Sequence, residues 1–306
     1  MIACPGCATL YASINPRCPR CDFAPTNLNG IAAWAPELSE TGGGFKAEYF
    51  GPLVQIEPKS FWFQARNQLI IWALETYFPK LASFLELGCG TGFVLSGVSQ
   101  AFPQARLVGS EIFAAGLTFA AARVPTASLV QMDARRVPYV EEFDVAAAFD
   151  VIEHIDEDEL VLQNLHHAIR AGGGLLITVP QHQWLWSATD DHACHQRRYS
   201  AADLHAKIRN AGFDILRSTS FVSLLLPAML VSRRQARTEE TFDPLAEFEI
   251  SRTLNEVLRA VLAVERQLIR RGVNFSLGGS RLVIARKTPL TAPLDHSSLA
   301  EDRSDR

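Results

Sequence analysis

The chain lacks three features that would assign it to other large classes of protein. Its 29 Lys and Arg residues are balanced by 33 Asp and Glu residues, so no overall basic field attracts nucleic acid. No apolar run reaches the roughly 18 residues that a transmembrane helix needs. Residues 1–5 do not open a charged and then apolar secretion signal. We therefore expect a cytoplasmic protein without a nucleic-acid partner.

Cysteine is scarce, but four of the six residues follow a metal-binding pattern. Cys4, Cys7, Cys18 and Cys21 have the spacing C-x2-C-x10-C-x2-C, and each pair stands in a Cys-Pro-x-Cys turn. Such turns direct two thiolates to one tetrahedral centre. The alternatives are two disulfides or four unused thiols, and disulfides conflict with the expected compartment. We predict one structural Zn²⁺ in a zinc-ribbon-like module at residues 1–24.

Glycine concentrates at one junction between a strand and a helix. Residues 84–92 read Phe-Leu-Glu-Leu-Gly-Cys-Gly-Thr-Gly, with Gly88, Gly90 and Gly92 at alternate positions. Without a Cβ, the backbone of this turn can lie directly against a ligand, and the following helix offers free N–H groups. A dinucleotide-binding loop needs its third glycine where this chain has Phe93. The loop therefore favours another nucleotide-like ligand.

Strands and helices alternate after this loop, in the pattern of a buried parallel sheet. The predicted strands 1 to 7 lie at residues 84–87, 106–111, 128–133, 143–150, 175–180, 213–221 and 280–287. Strands 2 to 5 end at Glu111, Asp133, Asp150 and Pro180. Because ligands of such sheets bind beyond the carboxyl ends of the strands, we expect these residues to border one crevice with the glycine loop. Glu111 follows Gly92 by 19 residues, which is close to the spacing of a ribose-binding carboxylate.

Residues 86–92, with the pattern E-x-G-x-G-x-G, resemble motif I of class I S-adenosylmethionine-dependent methyltransferases. Residues 131–135 are similar to the adenine-side motif of that family, and residues 149–155 to the motif after strand 4 in its bacterial small-molecule members. The resemblance extends over about residues 58–287. It implies an S-adenosylmethionine site built from Glu86, Gly88, Cys89, Gly90, Thr91, Gly92, Glu111, Ile112, Asp133, Ala134 and Asp150.

The resemblance also implies the fold class. We expect a Rossmann-like α/β domain with a seven-stranded, mostly parallel sheet in the order 3-2-1-4-5-7-6, over residues 58–287. Residues 25–57, rich in Pro, Gly and Asn, are predicted to be a linker with little structure. Residues 222–279 are expected to form a helical lid between strands 6 and 7, with a helix at about 244–271. Residues 288–306 are predicted to be disordered.

The chemistry expected at the crevice is methyl transfer, in which the enzyme aligns the reactants and excludes water. His154 follows strand 4 and is the candidate base, with Asp150 beside it as the second candidate catalytic residue. The alternative is that His154 orients the acidic helix that begins at residues 156–159.

The loop after strand 5 carries the residues that we expect to bind substrate. Its two adjacent arginines fit either an anion clamp or a polar rim in which Arg198 forms a structural ion pair. A second metal site that includes His195 is the third interpretation of this loop. Glu265 lies in an apolar stripe of the lid, where it needs a partner such as Arg281 or contacts the acceptor. The predicted substrate residues are His182, Trp186, His192, His195, Arg198, Tyr199 and Glu265.

The apolar run 221–231, followed by Arg233, Arg234 and Arg237, forms a buried wall of the lid or makes peripheral contact with a membrane through residues 221–237. The sequence therefore predicts methyl transfer to a small or lipid-linked acceptor, at oxygen. A zinc-ribbon methyltransferase that binds RNA and a non-catalytic cofactor-binding scaffold are the alternatives, and the balanced charge disfavours the first.

Overall fold

A computed structural model describes residues 1–15, 17–41, 45–236 and 250–288, with side chains except those of 232–236. The α-helices of these residues are α1 (Phe50–Ile56), α2 (Phe61–Tyr77), α3 (Phe93–Ala101), α4 (Ala114–Arg123), α5 (Asp158–Ala168), α6 (Ala188–His192), α7 (Ala201–Asn210), α8 (Leu226–Ala236) and α9 (Arg252–Arg270). The strands are β1 (Ile2–Ala3), β2 (Leu10–Tyr11), β3 (Thr26–Leu28), β4 (Ile31–Ala33), β5 (Ser83–Leu87), β6 (Arg106–Glu111), β7 (Ser128–Gln131), β8 (Phe143–Phe149), β9 (Ile169–Pro180), β10 (Phe213–Phe221) and β11 (Ser280–Lys287).

A nine-stranded sheet with the order β10-β11-β9-β8-β5-β6-β7-β4-β3 runs through the described residues. Strands β5 to β9 pair in parallel, and β11 lies antiparallel between β9 and β10. Apolar clusters cover both faces, which is why β5 is buried at every position. The predicted order 3-2-1-4-5-7-6 is present as β7-β6-β5-β8-β9-β11-β10, so the predicted fold class is confirmed.

The prediction that residues 25–57 form a linker with little structure is wrong. Strands β3 and β4 form a hairpin around Asn29 and Gly30, and β4 pairs in parallel with β7. The Gln131 side chain accepts the Ala35 N–H at 3.1 Å and donates to the Ala35 carbonyl at 2.8 Å. Asn-Gly is a strong hairpin signal, and both residues have the positive φ that such a turn requires. Residues 42–44 of this segment lie outside the described residues.

The N-terminal module is docked against the sheet domain. Ile2 pairs with Tyr139, and the Ala3 N–H donates to the Pro138 carbonyl at 2.8 Å. Ile2 and Tyr11 belong to the same buried cluster as Met132 and Tyr139. The module therefore shares its apolar core with the segment that connects β7 to β8.

Residues 222–279 connect β10 to β11 and carry α8 and α9. The helix predicted at 244–271 begins at Arg252 in the structure, and residues 244–249 lie outside the described part of the chain. Leu262 and Ile269 are buried in the cluster that α2 also enters. Asn255 accepts the Phe61 N–H at 2.9 Å, which fixes α9 to the start of α2.

Glu265 does not have either partner that the sequence suggested. Its carboxylate accepts the backbone N–H groups of Val222, Ser223 and Leu224, each at 2.7 Å. Arg281 instead donates to the Ser218 hydroxyl at 2.7 Å, and Glu265 is absent from the lining of the large cavity described below. Glu265 is therefore not a substrate residue. Since Val222 has a φ of 58°, three adjacent donors are exposed by an unusual turn, and a carboxylate satisfies them.

None of the helices among the described residues is both long and apolar enough to span a bilayer. The Thr288 N–H donates to the Gly212 carbonyl at 3.0 Å. Residues 289–306, most of the predicted disordered tail, lie outside the described residues.

We predict that Glu265→Gln lowers the free energy of unfolding by about 2–3 kcal/mol, because the amide turns a donor toward backbone N–H groups that need an acceptor. Urea denaturation measures this change. The matched control is Glu256→Gln on the exposed face of α9, where only an ion pair with Arg259 is lost and the change should be below about 1 kcal/mol. Equal stability of both variants would contradict this assignment.

Candidate active site

A cavity of about 1020 Å³ lies at the carboxyl ends of β5, β6, β7 and β8. Its volume is at the upper end of the roughly 300–1,000 Å³ that ligand pockets occupy. The sheet forms one wall and residues of α1, α2, α8 and α9 form the opposite wall. A cavity of this size accommodates a cofactor and a second molecule together.

The glycine loop adopts the left-handed backbone conformation that its composition predicts. Gly88, Gly90 and Gly92 have φ angles of 67°, 51° and 75°. A Cβ at Gly88 would lie 2.5 Å from a methyl group of Val151, and one at Gly92 would lie 3.1 Å from Ala120. Gly88 and Gly90 border the cavity, whereas Gly92 is outside its lining and lets α3 approach α4. Gly92 therefore shapes the loop without facing a ligand.

Glu111 fixes the loop to the end of β6. Its carboxylate accepts the Gly90 N–H at 3.0 Å and the N–H groups of Ile112 and Phe113 at 2.9 and 3.2 Å. Burial raises its pKa, while the three N–H donors act in the opposite direction. An ionised carboxylate has about four acceptor positions, so one remains for a ligand hydroxyl.

Glu86 is buried at the floor of the cavity, and its Oε2 has no hydrogen-bond partner among the described residues. Burial raises its pKa to about 8, and the nearby Arg66 only partly offsets this effect. A buried carboxyl group without a partner either keeps its proton or requires a cation. Glu86 is therefore suited to a positively charged ligand group.

The remaining predicted cofactor residues that border the same cavity are Cys89, Thr91, Ile112, Asp133, Ala134 and Asp150. Thr91 donates its hydroxyl to Glu57 at 2.7 Å, and Arg123 binds the same carboxylate at 2.6 Å. Asp133 accepts from the Arg135 side chain at 3.0 Å. The contacts of Thr91 and Arg123 with Glu57 connect the glycine loop to the end of α1. Both α1 and Glu57 lie in the segment that was predicted to be a linker.

Asp150 is paired with an arginine that the sequence analysis did not identify. Arg66, on α2, forms a partly buried ion pair with Asp150, and its guanidinium lies 4.5 Å from the ring centre of Trp62. Asp150 has a φ of 56°, a conformation uncommon outside glycine. Arg66 and Asp150 are 84 residues apart in the sequence, and the fold brings them together in the lining of the cavity.

His154 also borders the cavity and lies next to His195, with ring centres 4.7 Å apart. Burial, and then the neighbouring His195, lower the pKa of His154 to about 3. Its Nδ1 is buried without a hydrogen-bond partner among the described residues. His154 is therefore a neutral imidazole at neutral pH.

The predicted substrate loop folds around a buried carboxylate, Asp190. Asp190 accepts from Arg198 Nε at 2.7 Å and lies 2.8 Å from His195 Nδ1. Burial opposes its ionisation, but the hydrogen bond from His195 and the charge of Arg198 prevail and lower its pKa to about 2. Arg197 pairs with Asp158 at 2.9 Å. Both arginines are thus engaged by carboxylates, which contradicts the anion-clamp interpretation.

Three of the predicted substrate residues, His192, His195 and Arg198, border the cavity. Tyr199 does not, because it is fully buried and donates its hydroxyl to Asp158 at 2.6 Å. Trp186 is also outside the lining and donates its indole N–H to Asp191 at 2.9 Å. His182 stacks on Trp184 away from the cavity. The structure therefore does not bring Tyr199, Trp186 and His182 to the cavity, where substrate roles were predicted for them.

The apolar run 221–231 contributes to the wall of the cavity. Val222, Leu225, Ala228 and Met229 line it. Leu254 and Leu258 of α9 continue this apolar wall. The side chains of Arg233 and Arg234 are outside the description, as is Arg237. The predicted contact of residues 221–237 with a membrane stays a prediction.

The four N-terminal cysteines converge as the spacing predicted. Their sulfur atoms all lie within 4.8 Å of one another. Cys4 Sγ and Cys21 Sγ are 3.5 Å apart, and Cys7 Sγ and Cys18 Sγ are 3.6 Å apart. Tetrahedral thiolates at about 2.3 Å from Zn²⁺ are about 3.8 Å apart. The four residues therefore fit a closed structural zinc site.

Known proteins support the resemblance deduced from the motifs. A family profile described as a methyltransferase domain matches residues 85–175. An S-adenosylmethionine-dependent methyltransferase from Mycolicibacterium smegmatis, named as probable, is 23% identical over 160 residues, which are 51% of this chain and 61% of that protein. Trans-aconitate 2-methyltransferase from Deinococcus radiodurans is 31% identical over 116 residues, 38% of this chain and 42% of that protein. The chain thus spans about half the length of these relatives.

Solved structures show the same fold at low identity. The 4+2 cyclase SpnF aligns with a TM-score of 0.51 and 19% identity, over 74% of this chain and 84% of that one. A methyltransferase from Thermotoga maritima aligns with a TM-score of 0.50 and 14% identity, over 79% and 95%. Residues 85–175 are therefore similar in sequence to a methyltransferase domain, and the described residues share the fold of these solved structures. Since one structural relative is called a cyclase, the fold alone does not define the reaction.

We predict that the four-cysteine cluster binds one Zn²⁺ and that Cys18→Ser abolishes this binding, because a closed site loses one of its four ligands. The variant should also melt at a lower temperature, since Cys18 belongs to the core cluster shared with the sheet domain. Elemental analysis and thermal unfolding measure both effects. Cys194→Ser, outside the cluster, is the control. Full zinc content in Cys18→Ser would contradict the assignment.

Proposed function

We propose that the chain is an S-adenosylmethionine-dependent methyltransferase that methylates an oxygen atom of a small acceptor with an apolar portion. The observation that carries the proposal is the arrangement of Glu86, Glu111 and Asp133 around one end of a cavity large enough for two ligands. Two relatives named trans-aconitate 2-methyltransferase and malonyl-[acyl-carrier protein] O-methyltransferase support it.

The cofactor end of the cavity fits S-adenosylmethionine. Glu111 would accept a ribose hydroxyl through its remaining acceptor position, and Asp133 would lie by the adenine. The unpartnered Oε2 of Glu86 would face the α-ammonium group of the amino-acid end. When bound, this cofactor supplies an electrophilic methyl group on a sulfonium ion.

The acceptor end combines a polar cluster with an apolar wall. His154 and His195 contribute the polar groups, and residues of α8 and α9 contribute apolar side chains to the same lining. An acceptor with a polar head and an apolar body is complementary to this division. The chain would then orient the acceptor oxygen toward the methyl group and exclude water, which alone supplies much of the rate of a displacement.

The predicted role of His154 as a base is not needed by this proposal. General-base catalysis is most effective when the pKa of the base is near the working pH, whereas burial lowers that of His154 to about 3. A carboxylate oxygen is already ionised at neutral pH and requires no base. The site is therefore best matched to a carboxylate acceptor.

As the pH is raised toward 8, we expect the affinity for S-adenosylmethionine to increase by up to about tenfold per pH unit. The reason is that the Glu86 carboxyl group must lose its proton before it can pair with a cation. Its pKa of about 8 in the free protein sets the upper limit of this range. Calorimetry in buffers of different ionisation enthalpy should show up to one proton released on binding at neutral pH.

Glu86→Gln should remove this proton release, while the exposed control Glu48→Gln should retain it. Binding of S-adenosylmethionine with no proton released in the unaltered protein would contradict the role of Glu86. Binding of a nicotinamide dinucleotide and not of S-adenosylmethionine would contradict the proposed function itself.

We predict that Leu258→Ser lowers kcat/KM about tenfold for carboxylates that carry an acyl chain and much less for short dicarboxylates such as trans-aconitate, because a polar group then stands in the apolar wall. Transfer of labelled methyl groups to a panel of both acceptor types measures this. The control is Val257→Ser, whose side chain is 54% exposed on α9. Cofactor binding without turnover of any carboxylate or hydroxyl acceptor would favour the scaffold alternative.

A further inference from the structure

Three ligand-type atoms at the acceptor end of the cavity lack partners that their burial demands. Glu153 is 0% exposed, and neither of its carboxylate oxygens has a hydrogen-bond partner among the described residues. His154 Nδ1 is buried and also without such a partner. Buried polar groups are usually paired, and an unpaired carboxylate is costly. A bound cation would provide a partner for the Glu153 carboxylate and for His154 Nδ1.

These atoms stand close to a third ligand, His195. One ligand atom from each of Glu153, His154 and His195 lies within 4.8 Å of the other two. His195 Nε2 is 4.0 Å from Glu153 Oε1. Ligands of Zn²⁺ at about 2.1 Å are about 3.4 Å apart, so side-chain shifts of about 1 Å or less close the three atoms around an ion.

The second nitrogen of His195 is held by an outer carboxylate. Asp190 Oδ1 is 2.8 Å from His195 Nδ1, and Asp190 is itself fixed by Arg198 Nε at 2.7 Å and by the Ser187 N–H at 2.8 Å. This contact directs His195 Nε2 toward Glu153. Metal-binding histidines commonly donate their other ring N–H to a carboxylate in this way.

We propose that Glu153, His154 and His195 bind a divalent first-row metal ion such as Zn²⁺, in a site separate from the four cysteines. Two imidazoles and one carboxylate are a ligand set of catalytic metal centres, which keep coordination positions open. All three residues border the cavity, so the open positions face it. If the proposed function holds, the ion would bind a carboxylate oxygen of the acceptor and orient the acceptor in the cavity.

The competing explanation is that Glu153 simply keeps a proton and binds nothing. The two explanations differ in metal content and in the response of stability to metal. With the four-cysteine site filled, the unaltered full-length chain should bind a second equivalent of Zn²⁺, and Glu153→Gln and His195→Asn should each bind only the first. Glu159→Gln, an exposed carboxylate on α5, is the matched control and should retain both equivalents.

Cobalt distinguishes the two sites by their ligands. The four-cysteine site gives intense thiolate-to-Co²⁺ charge-transfer bands, whereas a site with two imidazoles and a carboxylate gives only weak visible bands. Titration with Co²⁺ should therefore show a second equivalent that adds visible absorption and no further charge transfer. This second component should be absent in Glu153→Gln.

Thermal unfolding tests the second metal site without a measurement of activity, and it does so in protein whose four-cysteine site is already filled. Added Zn²⁺ should raise the melting temperature of the zinc-loaded protein and of Glu159→Gln, but not that of Glu153→Gln, because only a folded site binds the ion. One equivalent of metal in the unaltered protein, or a second equivalent that persists in both site variants, would overturn the proposal. A second equivalent without any methyl transfer would support the metal site and count against the proposed function alone.

Discussion

The carboxylate of Glu111 holds together the parts of the molecule on which the cavity depends. It binds the Gly90 N–H of the glycine loop and the two N–H groups that follow β6, so the ends of β5 and β6 are joined by one side chain. Phe50 of α1 packs against Phe113 of this junction, with ring centres 6.2 Å apart. These donors fix the orientation of the Glu111 carboxylate. The conformation of the glycine loop, the packing of α1 and the shape of the cofactor end therefore depend on one another.

The sequence predicted the parallel sheet because its strands are short, largely apolar and regularly spaced, which are local properties. It did not predict that residues 25–57 extend this sheet, since the partner strand is about a hundred residues away and the linker composition hides it. The Asn29-Gly30 pair was a usable signal, because both residues adopt positive φ angles and begin a hairpin. Composition alone was therefore a poorer guide than the turn chemistry.

At the site, the sequence identified strand-end residues but not the residues that reach them from other elements. No role at the site was predicted for Arg66 or Asp190, and the fold brings them to Asp150 and His195. For Glu265 the sequence correctly required a partner but not its identity, because backbone N–H groups of a strained turn leave no pattern. The spacing of the substrate loop also matched no metal motif. Two of the three ligands of the proposed metal site, Glu153 and His154, come instead from the segment that follows β8.

The docking of the N-terminal module has a consequence for the cofactor end of the cavity. The hairpin that carries Cys4 is bonded to Pro138 and Tyr139, a few residues after Asp133, and packs on Met132. An ion held by the four thiolates therefore braces the loop that borders the cofactor end. By thermodynamic reciprocity, whatever factor the ion contributes to cofactor affinity, the cofactor contributes equally to retention of the ion. Removal of zinc by a chelator and release of the cofactor are thus linked equilibria wherever that factor differs from one.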